Sequence, residues 1–501
     1  MRTEVRQHAE SALPRAADGY LTVFLSLCLP ILLSVFLTTI DGARRNAVRM
    51  QAELITDTAV NAVLSEFHRE LYEQYDLFFI DPSYGTDSGS PADTGERLRM
   101  YMEKNVMGSG LDLFGQRRDL LGLSVAGASV GAVRGAADGA GIALRQQVYA
   151  YTAAEPLGAA AAGFLAKWDV FEGIGPDVTE WERRREENER ELSDMLEEAR
   201  DRADEQAQEL EAQGIAAEPV EVEDPTEEAN AFRLRPALLQ ILGTTDGVSQ
   251  ASVNSVSLLS HRSLFQGSGP VPDTSHGYPE ADALVLDEYI MEKCGNWRDN
   301  EKKNHLKYQA EYILFGEDTD EGNLEEMGRR LLLIRNAVNC TCIFTDSGKI
   351  AQADALAAGL SFILLLPEIR PVLKNALLFA WAYFESVLDV RCLFDGGRVP
   401  LIKTPDNWKT SLSSILKLSL PGSDGKGSGA SYEDHLRLLL YAENRATKSL
   451  RLMDIMESDI RDTNGNASFR MDLCFDTFSL ETQVASGYGY EYAVRRCVTY
   501  N

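Results

Sequence analysis

The sequence predicts an α+β protein that is mostly α: a long N-terminal helix that crosses a membrane and continues as a stalk, then a helix-rich body with a few antiparallel strands. Three observations predict this class. One charge-free apolar run lies near the N-terminus, most other apolar residues recur every three or four positions, and the C-terminal end alternates every second position. The alternating end predicts a C-terminal β-hairpin over residues 463–501.

The composition excludes several classes of protein. The 501 residues are 44% hydrophobic and 25% charged, which rules out a wholly disordered chain. The 49 Lys and Arg residues against 77 Asp and Glu leave a net charge of −28. Affinity for nucleic acid comes from basic side chains that replace counterions, so we expect no nucleic-acid partner.

The apolar run is the 21-residue segment from Tyr20 to Ile40. A helix of this length covers the roughly 30 Å hydrocarbon core of a bilayer, and a proline such as Pro30 is tolerated within membrane helices. The run is longer than the apolar core of a cleaved signal peptide, and Asp41-Gly-Ala43 makes a poor cleavage site. We therefore predict an uncleaved, single membrane-spanning helix in contact with lipid.

The charges that flank the run leave its orientation open, because each side carries three arginines. Beyond the run the helical pattern continues without a proline. The spacing of its small apolar residues predicts one helix from about Tyr20 to Tyr72, about 80 Å long, whose outer part forms an amphipathic stalk over residues 41–80. The residues of this stripe are Val48, Ala52, Ile55, Ala59, Ala62 and Phe67.

The N-terminus resembles a known group of proteins. Gly19-Tyr-Leu-Thr-Val-Phe-Leu25, the apolar run and Asp41-Gly-Ala-Arg44 are similar to the N-terminus of TadE/TadG-like pseudopilins of tight-adherence (Tad/Flp) pilus systems. Later segments resemble an uncharacterised, single-pass Gram-positive family from such pilus loci. These segments are residues 72–81, 380–389 (AWAYFESVLD), 397–404 (GRVPLIKT) and 431–440 (SYEDHLRLLL).

The resemblance implies a cytoplasmic N-terminus over residues 1–19, a large extracytoplasmic domain at the cell membrane, and pilins or pilus-assembly platform proteins as partners. Pseudopilins carry a Glu five residues after the glycine at which they are cleaved. Counting from Gly19, that position holds Phe24. We therefore expect an uncleaved accessory protein and not a standard filament subunit.

The remaining segments are predicted in order along the chain. Residues 81–175 form an α/β segment, in which an alanine-rich helix over 142–168 breaks near Pro156. Residues 176–229 form an exposed acidic helix and linker; residues 180–228 hold twenty acidic residues and six arginines, a net −14. Residues 230–462 form a helical domain. Its very apolar pieces 355–366 and 376–388 predict a buried helical hairpin, with re-entrant membrane insertion as the alternative.

The cysteines allow two interpretations. Cys28 lies in the apolar run, and the six others suit either disulfides in an oxidising compartment or buried free thiols. If a disulfide forms, the pair that fits best is Cys474 with Cys497, facing each other across the hairpin around Gly487.

Few residues suggest chemistry. Gly127-Ala-Ser129-Val-Gly131 matches the G-x-S-x-G pattern, but the glycine-rich sequence after it does not predict the helix that a nucleophile elbow needs. Cys340 and Cys342 have metal-ligand spacing without a second cluster, and no pair of histidines has zinc-ligand spacing. We predict no catalytic residue, cofactor, metal or small-molecule substrate.

The leading hypothesis is a non-enzymatic, membrane-anchored extracytoplasmic component or accessory factor of a Tad-like pilus or surface-secretion apparatus, which acts through helix packing and protein binding. One alternative is an envelope enzyme whose site is assembled from dispersed residues. Another is a membrane scaffold that faces the cytoplasm and uses the acidic helix as a docking surface.

Overall fold

A computed structural model describes residues 17–86, 88–108, 111–113, 116–118, 121–152, 158–213, 238–243, 247–268, 281–302, 304–363, 366–413 and 427–500. Most of the predicted cytoplasmic N-terminus, Pro156 and the linker that follows the acidic helix lie outside these residues. The predicted class is correct: the chain is mostly helical, with a long N-terminal helix and a three-stranded antiparallel sheet that includes a C-terminal hairpin.

The N-terminal helix α1 packs against this sheet. Helix α1 spans Ala17–Leu64, α2 spans Arg69–Tyr75 and α3 spans Pro91–Gly108. A short antiparallel hairpin follows, made of β1 (Leu111–Leu113) and β2 (Gln116–Arg118). The sheet has the order β3-β4-β5, with β3 at Leu123–Gly135, β4 at Phe475–Ser486 and β5 at Glu491–Thr499. The central strand β4 thus joins a strand from the first third of the chain to the last strand.

Helix α1 is shorter than predicted. It ends at Leu64, whereas the sequence predicts one helix that continues to about Tyr72. The chain turns after Leu64, and α2 begins with His68 as its N-cap, whose Nδ1 accepts a hydrogen bond from the Leu71 N–H at 3.3 Å. Phe67 faces the rings of Tyr72 and Phe78 at 5.4 and 5.1 Å. The stalk prediction over residues 41–80 is therefore wrong beyond residue 64, because aromatic packing turns the chain there.

The predicted C-terminal hairpin forms, with different bounds. Its two strands are β4 and β5, joined through Gly487, and the alternation over residues 469–473 belongs to a turn that precedes β4. In this register Ser479 faces Cys497, and Cys474 precedes the strand. Both cysteines are free thiols, so the predicted Cys474–Cys497 disulfide is wrong.

The body of the protein is a layered set of helices around one large core. The alanine-rich segment forms two helices, as predicted, and α6 covers the predicted acidic helix. The helices are α4 (Ile142–Thr152), α5 (Gly158–Glu172), α6 (Ile174–Ala212), α7 (Leu238–Ile241), α8 (Ala281–Lys293), α9 (Gln309–Phe315), α10 (Asp320–Ile343), α11 (Ser347–Ile363), α12 (Arg370–Phe394), α13 (Tyr432–Ala442) and α14 (Arg445–Arg461).

The two very apolar pieces form the helical hairpin α11–α12. Helix α12 is buried along most of its length, and its polar Glu385 is fully buried, so this helix belongs to the protein core. The acidic helix α6 is less exposed than predicted, because its few apolar residues pack on the start of α12. Leu192, Leu196 and Ala199 contact Ile369, Val372 and Ala376.

Candidate functional site

The first part of α1 is an apolar helix that packs against no other element of the described chain. Its large apolar side chains are exposed, from 43% at Ile40 to 82% at Tyr20, although α1 continues into the folded protein. Among the described residues, this is the one helix long and apolar enough to cross a membrane, and those properties suit either an anchor or a signal sequence. Pro30 lies inside the helix, as does Gly19, and the Ser26 hydroxyl donates to the Val23 carbonyl at 2.8 Å. Exposed apolar surface of this length needs a lipid or protein environment.

The second part of α1 packs against the sheet. The predicted stripe lies inward: Val48, Ala52, Ile55 and Ala59 are buried, and they share a core with apolar residues of β4. The hydroxyls of Thr56 and Thr482 are hydrogen-bonded at 2.9 Å within this interface. The strand partners of α1 on β4 and β5 are Phe475, Phe478, Leu480, Val484 and Val494.

Between the two parts lies a ladder of arginines on tyrosines, which we call the arginine–tyrosine seam. The guanidinium carbons of Arg44, Arg45 and Arg49 lie 4.4, 5.1 and 5.5 Å from the ring centres of Tyr488, Tyr490 and Tyr492, respectively.

Two carboxylates complete the seam. Asp41 pairs with Arg45 at 2.9 Å and accepts a hydrogen bond from the Tyr490 hydroxyl. Glu53 pairs with Arg49 at 3.2 Å and accepts from the Tyr492 hydroxyl at 3.1 Å. The seam therefore fastens the hairpin to α1 within a few residues of the end of the apolar run.

A buried ionic cluster lies inside the helical body, away from the arginine–tyrosine seam. It comprises Arg335 of α10, Glu385 and Asp389 of α12, and Lys403 of the following loop, and each of these side chains is at most 1% exposed. The Lys403 ammonium lies 2.6 Å from Glu385 and 2.9 Å from Asp389, while the Arg335 guanidinium lies 2.8 Å from Asp389. Two positive and two negative charges balance in this cluster.

Neighbouring groups satisfy the remaining hydrogen bonds of the cluster. Glu385 also accepts from the backbone N–H of Lys409 at 2.9 Å and from the N–H and hydroxyl of Thr410 at 2.8 and 2.7 Å. Burial alone would raise the pKa of Asp389, but Arg335 and Lys403 hold it below its usual range. The carboxylate therefore stays ionised inside the core.

His435 lies close to this cluster and is also buried. Its Nδ1 lies 2.7 Å from the Ser431 carbonyl, so Nδ1 carries the hydrogen, and Nε2 has no hydrogen-bond partner within the part of the chain that the structure describes. Burial lowers the pKa of His435 to about 4. The imidazole is neutral at pH 7, and it is enclosed and not open to a substrate.

Three of the segments that carry the family resemblance meet at this cluster. Residues 380–389 supply Glu385 and Asp389, residues 397–404 supply Lys403, and residues 431–440 supply His435. The chemistry of these residues would suit a catalytic site, but their complete burial and paired charges fit a structural role. The motif residues Glu385, Asp389 and Lys403, together with Arg335, therefore join α10, α12 and the loop that follows α12.

A second group of buried carboxylates lies on α14. Asp454 accepts from the Ser260 N–H at 2.9 Å, and burial raises its pKa to about 6. Glu457 receives both terminal nitrogens of Arg262 at 2.5 and 2.7 Å, and Asp459 accepts from the His305 N–H at 2.8 Å. These carboxylates hold the loops over α14.

The residues whose sequence patterns suggest chemistry, Ser129, Cys340 and Cys342, lie within regular secondary structure. Ser129 lies within β3 opposite Glu481, with strand on both sides, so it is not on a nucleophile elbow. Cys340 and Cys342 are buried in α10, and no group of three or more His, Cys, Asp or Glu residues able to hold a metal occurs in the described ranges. All seven cysteines are free, and Cys497 is the exposed one.

Cavities on the helical body include two that are lined by described residues. One, of about 530 Å³, is lined by Ile142, Arg145, Tyr149, Leu286 and Arg445 among others. The other, of about 500 Å³, lies between α5, α6, α10 and α13 and is lined largely by apolar and aromatic side chains. Neither contains the members of the ionic cluster.

Comparison with known proteins gives a family without an assigned activity. The model of a family of unknown function, DUF5702, matches residues 216–486, more than half of the chain, and the chain belongs to this family. No curated protein and no solved structure matches the chain.

Proposed function

We propose that this DUF5702 protein is a non-enzymatic, membrane-anchored extracytoplasmic protein that helps to assemble or anchor a Tad-like pilus or a related surface apparatus. The observation that carries the proposal is the division of α1 into an exposed apolar half and a half that packs on an antiparallel sheet. A long N-terminal helix, apolar first and amphipathic after, is the plan of pilins and pseudopilins.

The mechanism is physical. The Tyr20–Ile40 half holds the protein in the bilayer and offers side chains such as Phe24, 66% exposed, to neighbouring membrane helices of pilins or of the assembly platform. The sheet on α1 keeps the helical body close to the membrane surface. The paired and enclosed charges of the ionic cluster are consistent with a body that binds partners and does not turn over a substrate.

Anchoring is tested by deleting residues 1–40. We expect the full-length protein to fractionate with membranes and the deleted protein to be soluble. If the deleted protein still fractionates with membranes after an alkaline wash that removes proteins bound only at the surface, a second embedded segment exists and the single-anchor proposal is wrong.

Orientation is tested with Cys497, the exposed cysteine. A membrane-impermeant maleimide is applied to intact cells, with lysed cells and the Cys497→Ser variant as controls. We expect labelling of the wild type in intact cells and loss of that labelling in Cys497→Ser. Labelling of Cys497 only after lysis would place the body in the cytoplasm and favour the scaffold hypothesis.

The pilus role is tested by photocrosslinking. A photoreactive phenylalanine analogue replaces Phe24 in the exposed part of α1, with the same analogue at Tyr72 of α2 as the control. We expect a crosslink at Phe24 to a pilin or a platform protein, identified by mass spectrometry. Crosslinks confined to lipid, or equal at the two positions, would contradict the proposed partners.

A further inference from the structure

The arginine–tyrosine seam lies at the depth of lipid headgroups if α1 spans a bilayer, and any role of the seam in lipid binding therefore rests on the proposed anchoring. A helix rises about 1.5 Å per residue, which places Arg44 and Arg45 about 6–8 Å beyond Ile40 and Arg49 about 14 Å beyond it. The headgroup region is roughly 5–8 Å thick on each side of the hydrocarbon core. Arg44 and Arg45 therefore fall within the headgroup layer, and Arg49 lies about 6 Å beyond it.

The hairpin tip is held at the same depth. Strand β5 runs along α1 away from the apolar run: Tyr488 faces Arg44, Tyr492 faces Arg49, and the Tyr500 hydroxyl donates to the Leu64 carbonyl at 2.6 Å. Tyr488 is thus the ring of the arginine–tyrosine seam that lies closest to the apolar run, and it is 45% exposed. Its ring has the amphipathic character of tyrosines that lie at membrane interfaces.

The charges at this depth differ from one another. Arg45 and Arg49 are paired with Asp41 and Glu53. Arg44 is exposed, and none of the described carboxylates lies within ion-pair distance of its guanidinium, which contacts the Tyr488 ring. The hydrogen bond from the Tyr490 hydroxyl lowers the pKa of Asp41, and the charge of Arg44 contributes to this shift. The Asp41 carboxylate is, however, already bound by that hydroxyl and by Arg45. A guanidinium binds a phosphate through two parallel hydrogen bonds, and lipid phosphates lie in the headgroup layer.

We propose that Arg44 and Tyr488 bind the phosphate headgroups of anionic phospholipids in the bilayer that holds α1. The tip of the β4–β5 hairpin then contacts the membrane as a second point beside the helix. Two points of contact fix the rotation of the body about α1, so its remaining faces point toward partners in one direction.

The experiment uses the full-length protein in lipid nanodiscs. Tyr488→Trp adds one fluorophore at the hairpin tip. Tyr72→Trp adds one at an exposed tyrosine of α2, in the aromatic group next to Leu64, and Leu64 lies about 36 Å beyond Ile40 along α1. Lipids brominated near the headgroup quench nearby tryptophan. We expect them to quench the fluorescence added by Tyr488→Trp strongly, because aromatic rings at this depth lie at the headgroup level, and to quench little of that added by Tyr72→Trp.

The anionic preference is tested in the same discs. We expect quenching in Tyr488→Trp to increase when phosphatidylglycerol replaces phosphatidylcholine, and Arg44→Gln to abolish this increase. Arg69→Gln, which removes an exposed arginine of α2, is the matched control and leaves the increase unchanged.

The outcomes separate the two proposals. Failure of the protein to enter nanodiscs contradicts the anchoring. Insertion with an unquenched Tyr488→Trp fluorophore contradicts the hairpin contact and leaves the anchoring in place. Equal quenching with and without anionic lipid, or an increase that survives Arg44→Gln, contradicts headgroup recognition by this arginine.

Discussion

Replacing Lys403 by methionine is the sharpest test of the buried ionic cluster. The substitution keeps most of the side-chain volume and removes one positive charge that lies 2.6 Å from Glu385 and 2.9 Å from Asp389. Arg335 is then the one cation left beside two carboxylates in a region that water does not reach. An unpaired charge in such a place is among the few causes of severe destabilisation.

The expected loss is about 3–5 kcal/mol in the free energy of unfolding, the range for breaking a buried ion pair by removing one partner. Arg329→Met is the matched control, because Arg329 lies on the surface of α10 and pairs with Glu325 and Glu326 at 3.2 and 3.1 Å. Exposed pairs contribute about 0–1 kcal/mol, so this control changes stability little. Adding Glu385→Gln to Lys403→Met removes the excess negative charge, and we expect it to restore part of the loss.

The assay is urea unfolding of the full-length protein in detergent, followed by tryptophan fluorescence. Trp381 and Trp408 both donate to the Thr410 hydroxyl at 3.0 Å, beside Glu385, so their emission reports on the cluster. In Lys403→Met the pKa of a carboxylate in the cluster rises in the folded state, so the folded state binds a proton more readily. The loss in the free energy of unfolding relative to wild type therefore becomes smaller between pH 7.5 and 5. A loss below about 1 kcal/mol, equal to that of Arg329→Met and independent of pH, would refute this reasoning.

Three further predictions concern single positions. Burial lowers the pKa of His435 to about 4, so the unfolded chain binds the proton first as pH falls below about 6.5; this group removes about 2 kcal/mol of stability between pH 7.5 and 5. Burial raises the pKa values of Asp454 and Glu311 to about 6 and 7, and these groups act in the opposite direction. The measurement is therefore the difference in the free energy of unfolding between wild type and His435→Gln, which we expect to decrease by about 2 kcal/mol from pH 7.5 to 5. His261→Gln, at an exposed histidine, is the control. Ala59→Leu overfills the contact between α1 and the sheet and lowers the free energy of unfolding by about 1–3 kcal/mol. Asn61→Leu, at an exposed position of the same helix, has little effect in the same urea titration. Arg262→Met leaves Glu457 and Asp472 without their shared guanidinium and lowers the melting temperature in a thermal scan; a melting temperature equal to that of Arg69→Met would contradict this role.

Local sequence patterns are sufficient to predict the helices and the hairpin. They are insufficient to predict the tertiary contacts between these elements. The apolar run, the periods of 3.6 and 2.0, and Pro156 are properties of neighbouring residues. Helix α1 ends at Leu64 because the Phe67 ring packs against Phe78, and the helical pattern alone does not predict this contact. Helix α6 packs through a few apolar residues, Leu192, Leu196 and Ala199 on the start of α12 and Trp181 on α10, so its acidic composition predicts an exposed helix.

The sites show the same limit. Arg44, Arg45 and Arg49 are visible in the sequence as flanking charges, and the tyrosines at the start of the last strand as an alternating pattern. The two sets are nevertheless more than 400 residues apart. Glu385, Asp389 and Lys403 stand in segments that resemble a family, without any sign that their side chains meet. Contacts between distant segments need either the folded structure or covariation among relatives.

The position of β4 shows what the family match does and does not cover. The matched region, residues 216–486, ends at Ser486, the last residue of β4. Both strands that pair with β4 lie outside it, β3 before and β5 after, as does α1, which covers the apolar face of the sheet. Within residues 216–486 alone, Phe475, Phe478, Leu480 and Val484 would lose the strands and helix that bury them. The core between α1 and the sheet is therefore completed by two elements outside the matched region, α1 and the C-terminal strand β5, so a displacement of α1 acts directly on the strand β4 that ends the matched region.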